Sequence, residues 1–141
     1  MSTPAYNVLV VEDDPGVLKA LRRKLTQGGH TISTATNCEA GRALTAQFDL
    51  AILDLELPDG SGVELAEELL ARSQAVQVVF YTGAADRLLL ARAGRLGLIV
   101  NKNQSVEDML QIAYQALNPP VSERHETGRW RVAERRREQS R

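Results

Sequence analysis

Apolar residues in the first hundred positions come in short runs of strand length, each followed by a polar turn and a segment with helical spacing. The first run, residues 7–11, is continuous and rich in valine. Behind it, four apolar side chains recur at intervals that place them on one helical face: Val17, Leu18, Leu21 and Leu25. This succession predicts a buried strand, a loop and an amphipathic helix.

The same unit repeats along the chain. Further strands are predicted at residues 31–35, 50–53, 78–81 and 98–100, with a less regular helix over residues 86–93. Because these strands are apolar on both faces and alternate with helical segments, they favour a parallel sheet between two helix layers. The sequence therefore predicts an α/β fold, a doubly wound five-stranded parallel sheet with helices on both faces.

Capping residues indicate where the predicted helices begin. Asp14, directly followed by a proline, is typical of an N-cap before the first helical residue. Capping boxes at Thr36, Ser61 and Ser105 predict the starts of three further helices. The helix after Thr36 is expected to extend through Leu44.

Charge divides the chain into a body and a tail. Residues 1–118 contain 10 Lys+Arg and 14 Asp+Glu, whereas residues 119–141 contain 7 and 4. Pro119 and Pro120 end the last helical pattern. We therefore expect a domain over residues 1–118 and a basic C-terminal extension over residues 119–141, flexible or partly helical. Glutamates between its arginines argue against nucleic acid as a partner.

The composition favours a cytoplasmic protein. No apolar run approaches the roughly 20 residues of a membrane-spanning helix, and the N-terminus lacks the pattern of a secretory signal. The single cysteine, Cys38, cannot form an internal disulfide and is expected to be a small buried group. His30 and His125 have no partner at metal-ligand spacing, and both are expected to be solvated or loop residues.

Polar side chains stand where the predicted strands end: Glu12, Asp13, Asp54, Thr82 and Lys102. In open α/β sheets, ligands bind at this edge. Three carboxylates converging there would raise one another's pKa values unless they shared a cation, and oxygen ligands of this kind suit Mg²⁺. A hydroxyl and an ammonium group would complete a cradle for a phosphoryl group. Acidic residues after the first strand, where a Gly-rich turn would be needed, exclude a dinucleotide site.

These motifs resemble the receiver domains of two-component response regulators, over about residues 6–118. The resemblance rests on four segments in the expected order: Val10-Val11-Glu12-Asp13-Asp14, Asp54-Leu55-Glu56-Leu57-Pro58-Asp59-Gly60-Ser61-Gly62, Thr82-Gly83 and Lys102. It implies a flavodoxin-like sheet with strand order 2-1-3-4-5.

The resemblance also implies a role for each residue of the site. Asp54 would be the phosphoacceptor. Glu12 and Asp13 would form the acidic pair that binds Mg²⁺ together with Asp54, Asp13 being the more direct ligand, and the backbone carbonyl of Glu56 would be a further ligand. The two phosphoryl-binding side chains would be Thr82 and Lys102.

A receiver of this kind would signal through protein contacts. The phosphoryl group would come from a histidine kinase or a phosphotransfer protein, and the signal would pass to a downstream protein target. A weak homodimer is left open. The domain would catalyse only its own phosphorylation and dephosphorylation, so it would not be an enzyme in the usual sense.

The chain departs from the family pattern on both sides of the lysine. Receivers usually have an aromatic residue three positions before it and a proline directly after it, whereas Ile99 and Asn103 stand here. An isoleucine cannot repeat the movement of an aromatic ring. We therefore expect Ile99 to mark an altered switch position, and the output to involve residues 82–91 instead.

Simpler or different readings stay open. Asp54 could merely end a strand, Thr82 could cap the following helix, and Lys102 could be an exposed lysine after an edge strand. At the level of function, a degenerate receiver could act as a binding scaffold. A phosphohydrolase that forms an aspartyl phosphate could use Glu56 as its acid and base.

Overall fold

The structure is a computed structural model that describes residues 4–117. The strands are β1 (Asn7–Val11), β2 (Thr31–Ala35), β3 (Phe48–Leu53), β4 (Glu56–Leu57), β5 (Gly60–Ser61), β6 (Ala75–Thr82) and β7 (Leu98–Asn101). The helices are α1 (Pro15–Gln27), α2 (Cys38–Arg42), α3 (Gly62–Ala71), α4 (Arg87–Gly94) and α5 (Val106–Leu117). The predicted domain boundary at residue 118 and the basic extension over residues 119–141, with His125, lie outside the described residues.

Five strands form one parallel sheet in the order β2-β1-β3-β6-β7. The two-residue strands β4 and β5 pair separately as an antiparallel hairpin. Counting only the strands of the main sheet, the order is 2-1-3-4-5, so the predicted doubly wound, flavodoxin-like fold is confirmed.

Alternate residues of the central strands face two apolar layers. On one side, Leu9 and Leu53 belong to the layer shared with α2, α3 and α4. On the other side, Val10 and Ile52 belong to the layer shared with α1 and α5. Burial on both faces explains why these strands read as continuous apolar runs. It also fixes the position of the strand ends, from which the polar residues of the site project.

Most predicted helix starts are confirmed. The Asp14 carboxylate accepts hydrogen bonds from the N–H groups of Gly16 and Val17, and Ser61 and Ser105 cap α3 and α5 with their hydroxyls. These caps explain where the three helices begin, because they satisfy N–H groups of the first turn that have no partner within the helix.

The prediction for the second helix was wrong in two respects. Its N-cap is Asn37, whose side chain accepts the N–H of Ala40, and not Thr36. Asparagine is the stronger N-cap residue, and its use moves the helix start by one position. The helix is also short, because α2 ends at Arg42 instead of reaching Leu44.

His30 lies in the loop between α1 and β2, as the sequence indicated, but it is half-buried instead of solvated. Its ring stacks on Tyr6 at a centroid distance of 5.4 Å and lies 5.2 Å from the ring of Tyr114 on α5. The Nδ1 atom accepts the backbone N–H of Tyr6 at 3.0 Å, and burial lowers the pKa of His30. The histidine therefore joins the start of β1 to α5, at the end of the sheet opposite the strand-end carboxylates.

Cys38 is buried at the start of α2, as expected from the sequence, and burial raises the pKa of its thiol to about 11. A thiol with so high a pKa stays protonated at neutral pH. Among the helices that the structure describes, none is long and apolar enough to cross a lipid bilayer.

Candidate functional site

The polar residues at the strand ends meet at one edge of the sheet. Glu12 and Asp13 follow β1, Asp54 follows β3, and Thr82 is the last residue of β6. Lys102 directly follows β7. Four of these five side chains are joined by hydrogen bonds, and Asp13 lies beside them. The parallel sheet thus brings together every residue that the sequence placed at this edge.

Asp54 lies at the centre of the contacts, with an exposed fraction of only 6%. The Thr82 hydroxyl donates to its Oδ1 atom at 2.8 Å, and the Glu56 N–H donates to the same atom at 3.2 Å. The Lys102 ammonium donates to its Oδ2 atom at 2.8 Å. Both carboxylate oxygens are therefore held by donors, which compensates for their removal from water.

Lys102 bridges two carboxylates. Its Nζ atom lies 2.9 Å from Glu12 Oε1 and 2.8 Å from Asp54 Oδ2, and its side chain is 24% exposed. Burial alone would lower the pKa of Lys102, but the hydrogen bonds to Asp54 and Glu12 outweigh it and raise the pKa. The lysine is therefore an ammonium group in the site, and the alternative of a merely solvent-exposed lysine was wrong.

Glu12 is more deeply buried than any other acid of the site, with an exposed fraction of 2%. Besides Lys102, its carboxylate accepts the backbone N–H of Asp14 at 3.1 Å. Burial raises the pKa of Glu12, and the hydrogen bond from Lys102 offsets this only in part. A further cation at this edge would stabilise the ionised form of Glu12.

Three carboxylates have the arrangement of a cation site. Glu12, Asp13 and Asp54 each offer an oxygen, and these oxygens all lie within 4.8 Å of one another. Glu12 and Asp54 are buried, whereas Asp13 is exposed. Carboxylate oxygens at this spacing fit a hard divalent cation such as Mg²⁺, which keeps its remaining positions for water and phosphate oxygens.

Thr82 has two hydrogen bonds that link the site to the following loop. Its hydroxyl donates to Asp54 and accepts the N–H of Ala84 at 3.1 Å. The N-cap of α4 is Asp86, so the alternative in which Thr82 caps that helix was wrong. Ile99 lies on the edge strand β7 with an exposed fraction of 39%.

The loop after Asp54 is fixed by a glycine that the sequence indicated only as part of a motif. A Cβ atom on Gly62 would lie 2.1 Å from the carbonyl oxygen of Asp54, and the Gly62 N–H donates to the Leu55 carbonyl at 3.0 Å. Only glycine allows the two backbone segments to approach this closely. The turn therefore folds back against the residue at the centre of the site.

Asp59 fixes the other side of this loop, although the sequence indicated it only as part of a motif. Its two carboxylate oxygens accept the N–H groups of Cys38 at 2.7 Å and Glu39 at 2.9 Å, at the start of α2. These two bonds lower the pKa of Asp59. The contact spans about twenty positions in sequence, so no local pattern could have indicated it.

A family model and a curated relative both match this chain. The family model described as the response regulator receiver domain matches residues 8–114. The TorCAD operon transcriptional regulatory protein TorR of Escherichia coli strain K12 is 33% identical over 85 residues, which cover 59% of this chain and 36% of TorR. The chain thus matches little more than a third of the length of that relative.

Two solved structures have the same fold. The non-phosphorylated HemR receiver domain from Leptospira biflexa matches with a TM-score of 0.73 and 28% identity, covering 81% of this chain and 95% of that chain. The BeF3-activated receiver domain of DrrB, a Thermotoga maritima protein, matches with a TM-score of 0.72 and 25% identity. The match covers 82% of this chain and 100% of that chain.

The Asp59 contact predicts a pH-dependent contribution to stability. Because the pKa of Asp59 is lowered in the folded state, its ionised form stabilises the fold above the ordinary pKa of 3.8, and this stabilisation is lost as the pH falls through the lowered value. We expect Asp59→Ala to lower the urea midpoint at neutral pH and to converge with the wild type below that pKa.

Asp59→Asn is the matched control, because it keeps one acceptor oxygen and removes the titrating group. At neutral pH, its urea midpoint should fall below that of the wild type by less than the midpoint of Asp59→Ala does. An Asp59→Ala deficit that stays constant from neutral to acid pH would contradict the assignment.

Proposed function

The chain belongs to the family of response regulator receiver domains, and from this premise we propose that it takes a phosphoryl group onto Asp54 from a histidine kinase or a phosphotransfer protein. The observation that carries the proposal is the Asp54 carboxylate, which is held between the Thr82 hydroxyl and the Lys102 ammonium beside two further acids. The phosphorylated domain would then signal to a protein target by changing its surface.

The proposed reaction is a transfer from phosphohistidine to aspartate. A carboxylate oxygen of Asp54 attacks phosphorus, an O–P bond forms, and the N–P bond to the donor imidazole breaks. The imidazole keeps the electron pair and takes up a proton. In phosphoryl transfer the protein mainly positions the reactants and neutralises charge. The two side chains that donate to Asp54, Thr82 and Lys102, would bond the oxygens of the group that arrives there.

Lys102 would change partners during the transfer. In the structure its ammonium is shared by Glu12 and Asp54. When Asp54 becomes an acyl phosphate, its carboxylate charge is lost, and a phosphoryl oxygen becomes the stronger acceptor for the ammonium. The buried Glu12 would hold the lysine in place throughout this exchange.

Mg²⁺ is the cofactor that fits the acidic residues. We propose that Glu12, Asp13 and Asp54 would hold it, together with the backbone carbonyl of Glu56. When bound, the ion would neutralise charge on the phosphoryl oxygens. Asp13, the exposed member, would exchange water for the ion with the smallest rearrangement of the protein.

The contacts favour a phosphoacceptor over the two alternatives. A binding scaffold would not require a hydroxyl and an ammonium to meet on one buried carboxylate. A phosphohydrolase would need the Glu56 side chain at the phosphoryl group as acid and base, whereas that side chain is exposed and the Glu56 contact to Asp54 is made by the backbone N–H.

We propose that the signal leaves the site through residues 82–91. The Thr82 hydroxyl contacts both Asp54 and the N–H of Ala84, so a movement of Thr82 toward a phosphoryl group would disturb the loop before α4. Ile99 has no ring that could fill space vacated by Thr82, and it is branched at Cβ, which restricts its rotamers.

The central test of the proposal is phosphorylation by a small donor. We expect acetyl phosphate and Mg²⁺ to add one phosphoryl group, seen as a single adduct in the intact mass. Asp54→Asn should show no adduct, because an amide is not a nucleophile of this kind. Thr82→Ser, which keeps the hydroxyl, is the control and should still be labelled. An adduct of equal yield in Asp54→Asn would overturn the assignment.

The proposed metal ligands can be tested without any phosphoryl donor. Asp13→Ala should weaken Mg²⁺ binding by about tenfold or more, measured by NMR titration of backbone amides. Asp14→Ser is the matched control, because it removes the neighbouring carboxylate and keeps an N-cap for α1. Equal loss of affinity in both variants would indicate a general charge effect instead of a ligand.

The proposed output route predicts where the backbone responds. Beryllofluoride with Mg²⁺ should change amide exchange mainly within residues 82–91. The reason is that Thr82 is the residue that links Asp54 to this loop. Changes centred instead on Ile99 and α5 would show that the usual coupling operates without an aromatic residue.

A further inference from the structure

The position of Lys102 depends on the loop over residues 101–104, where the edge strand β7 ends. Lys102 follows β7, which is the edge strand and pairs only with β6 in the main sheet. From there its ammonium must reach across β6 to Asp54 after β3 and Glu12 after β1. A small displacement of the loop would therefore move the ammonium out of hydrogen-bond range.

Four hydrogen bonds hold this loop. Two lie within it: the Asn101 side chain accepts the N–H of Asn103 at 2.8 Å, and the Asn101 carbonyl accepts the N–H of Gln104 at 2.9 Å. The other two reach β6. The Lys102 N–H donates to the Thr82 carbonyl at 3.0 Å, and the Tyr81 hydroxyl donates to the Gln104 carbonyl at 2.5 Å.

Of the two hydrogen bonds to β6, the one from Tyr81 is made by a side chain, and the other is made by backbone groups. Tyr81 is 4% exposed and belongs to the apolar layer shared with α1 and α5. Burial raises the pKa of Tyr81, so the hydroxyl keeps its proton and remains a donor. A tyrosine ring packed in the core is a rigid support, because it has few side-chain torsions and cannot move without disturbing its neighbours.

The loop has one backbone restraint fewer than a proline after Lys102 would give it. Asn103 stands where related domains usually have a proline, so the backbone after Lys102 lacks the fixed φ angle that a proline would impose. Tyr81 reaches the loop two residues after Lys102. The hydroxyl therefore restrains the loop from the side of the sheet.

We infer that Tyr81 is a positioning residue for Lys102: its hydroxyl holds the loop from which the ammonium reaches Asp54 and a phosphoryl group accepted there. This inference rests on the proposed function and adds a residue to it. Tyr81 itself contacts neither the carboxylates nor the phosphoryl group in this role.

Tyr81→Phe tests the inference, because it removes the hydroxyl and keeps the ring. We expect the rate of phosphorylation by acetyl phosphate at saturating Mg²⁺ to fall roughly three- to tenfold, as for the loss of one buried hydrogen bond. The affinity for Mg²⁺ should stay close to that of the wild type, because no metal ligand is touched. Amide exchange at residues 102–104 should become faster.

Tyr114→Phe is the matched control, since it removes the same atom from a tyrosine that packs on His30 at the other end of the sheet. It should leave the phosphorylation rate unchanged. A double variant with Lys102→Met provides the second control. If Tyr81 acts through Lys102, Tyr81→Phe should lower the rate no further in that background.

The inference is overturned if Tyr81→Phe is phosphorylated as fast as the wild type, or if its effect persists in full in the Lys102→Met background. It is also overturned if exchange at residues 102–104 is unchanged. Failure of the wild type to take up any phosphoryl group would instead overturn the proposed function, and the exchange measurement would still decide whether Tyr81 holds the loop.

Discussion

The site depends on the ion pair network in which one ammonium group, that of Lys102, compensates two buried carboxylates. Glu12 and Asp54 are almost inaccessible to solvent, and charges removed from water are costly unless they are paired and hydrogen-bonded. Without the lysine, the two acids would repel each other at the edge of the sheet. The rest of the domain can be understood as the framework that holds these three groups on three different strands or the loops that follow them.

The sequence predicted the fold and which polar residues meet at one edge of the sheet. Strands that are buried on both faces leave continuous apolar runs, so the ends of the strands, and hence Glu12, Asp54 and Thr82, could be located directly. Parallel pairing then places all these ends at one edge. Lys102 could not be located in the same way, because it follows a short, partly exposed strand. Its partners lie 48 and 90 positions away in sequence.

What the sequence did not indicate are contacts between distant segments. Asp59 joins the loop after β3 to the start of α2, Tyr81 joins β6 to the loop after β7, and His30 packs between two tyrosines. The residues next to each of them in sequence form no recognisable motif with it. Its contacts form only when distant segments come together in the fold. The start of the short α2 helix shows the same limit. Asparagine and threonine are both favoured at N-cap positions, so the local pattern alone could not choose between Asn37 and Thr36.

The departures from the family pattern fall together in space, around the edge strand β7. Ile99 and Asn103 lie on either side of Lys102, and Tyr81 faces the same segment from β6. The acidic residues directly follow the inner strands β1 and β3, where the family motif is intact. Under the proposed function, the intact acidic set would accept the phosphoryl group, while the segment around β7 would hold the lysine in a way that differs from the family pattern.

The most direct test of the central claim is to locate the phosphoryl group on the chain. An acyl phosphate on an aspartate can be reduced with borohydride to the corresponding alcohol, which turns that residue into homoserine and marks it in peptide mass spectrometry. After phosphorylation in the presence of Mg²⁺, the account predicts homoserine at position 54. Homoserine at position 13, or reduction of a glutamate at position 12 or 56, would contradict it.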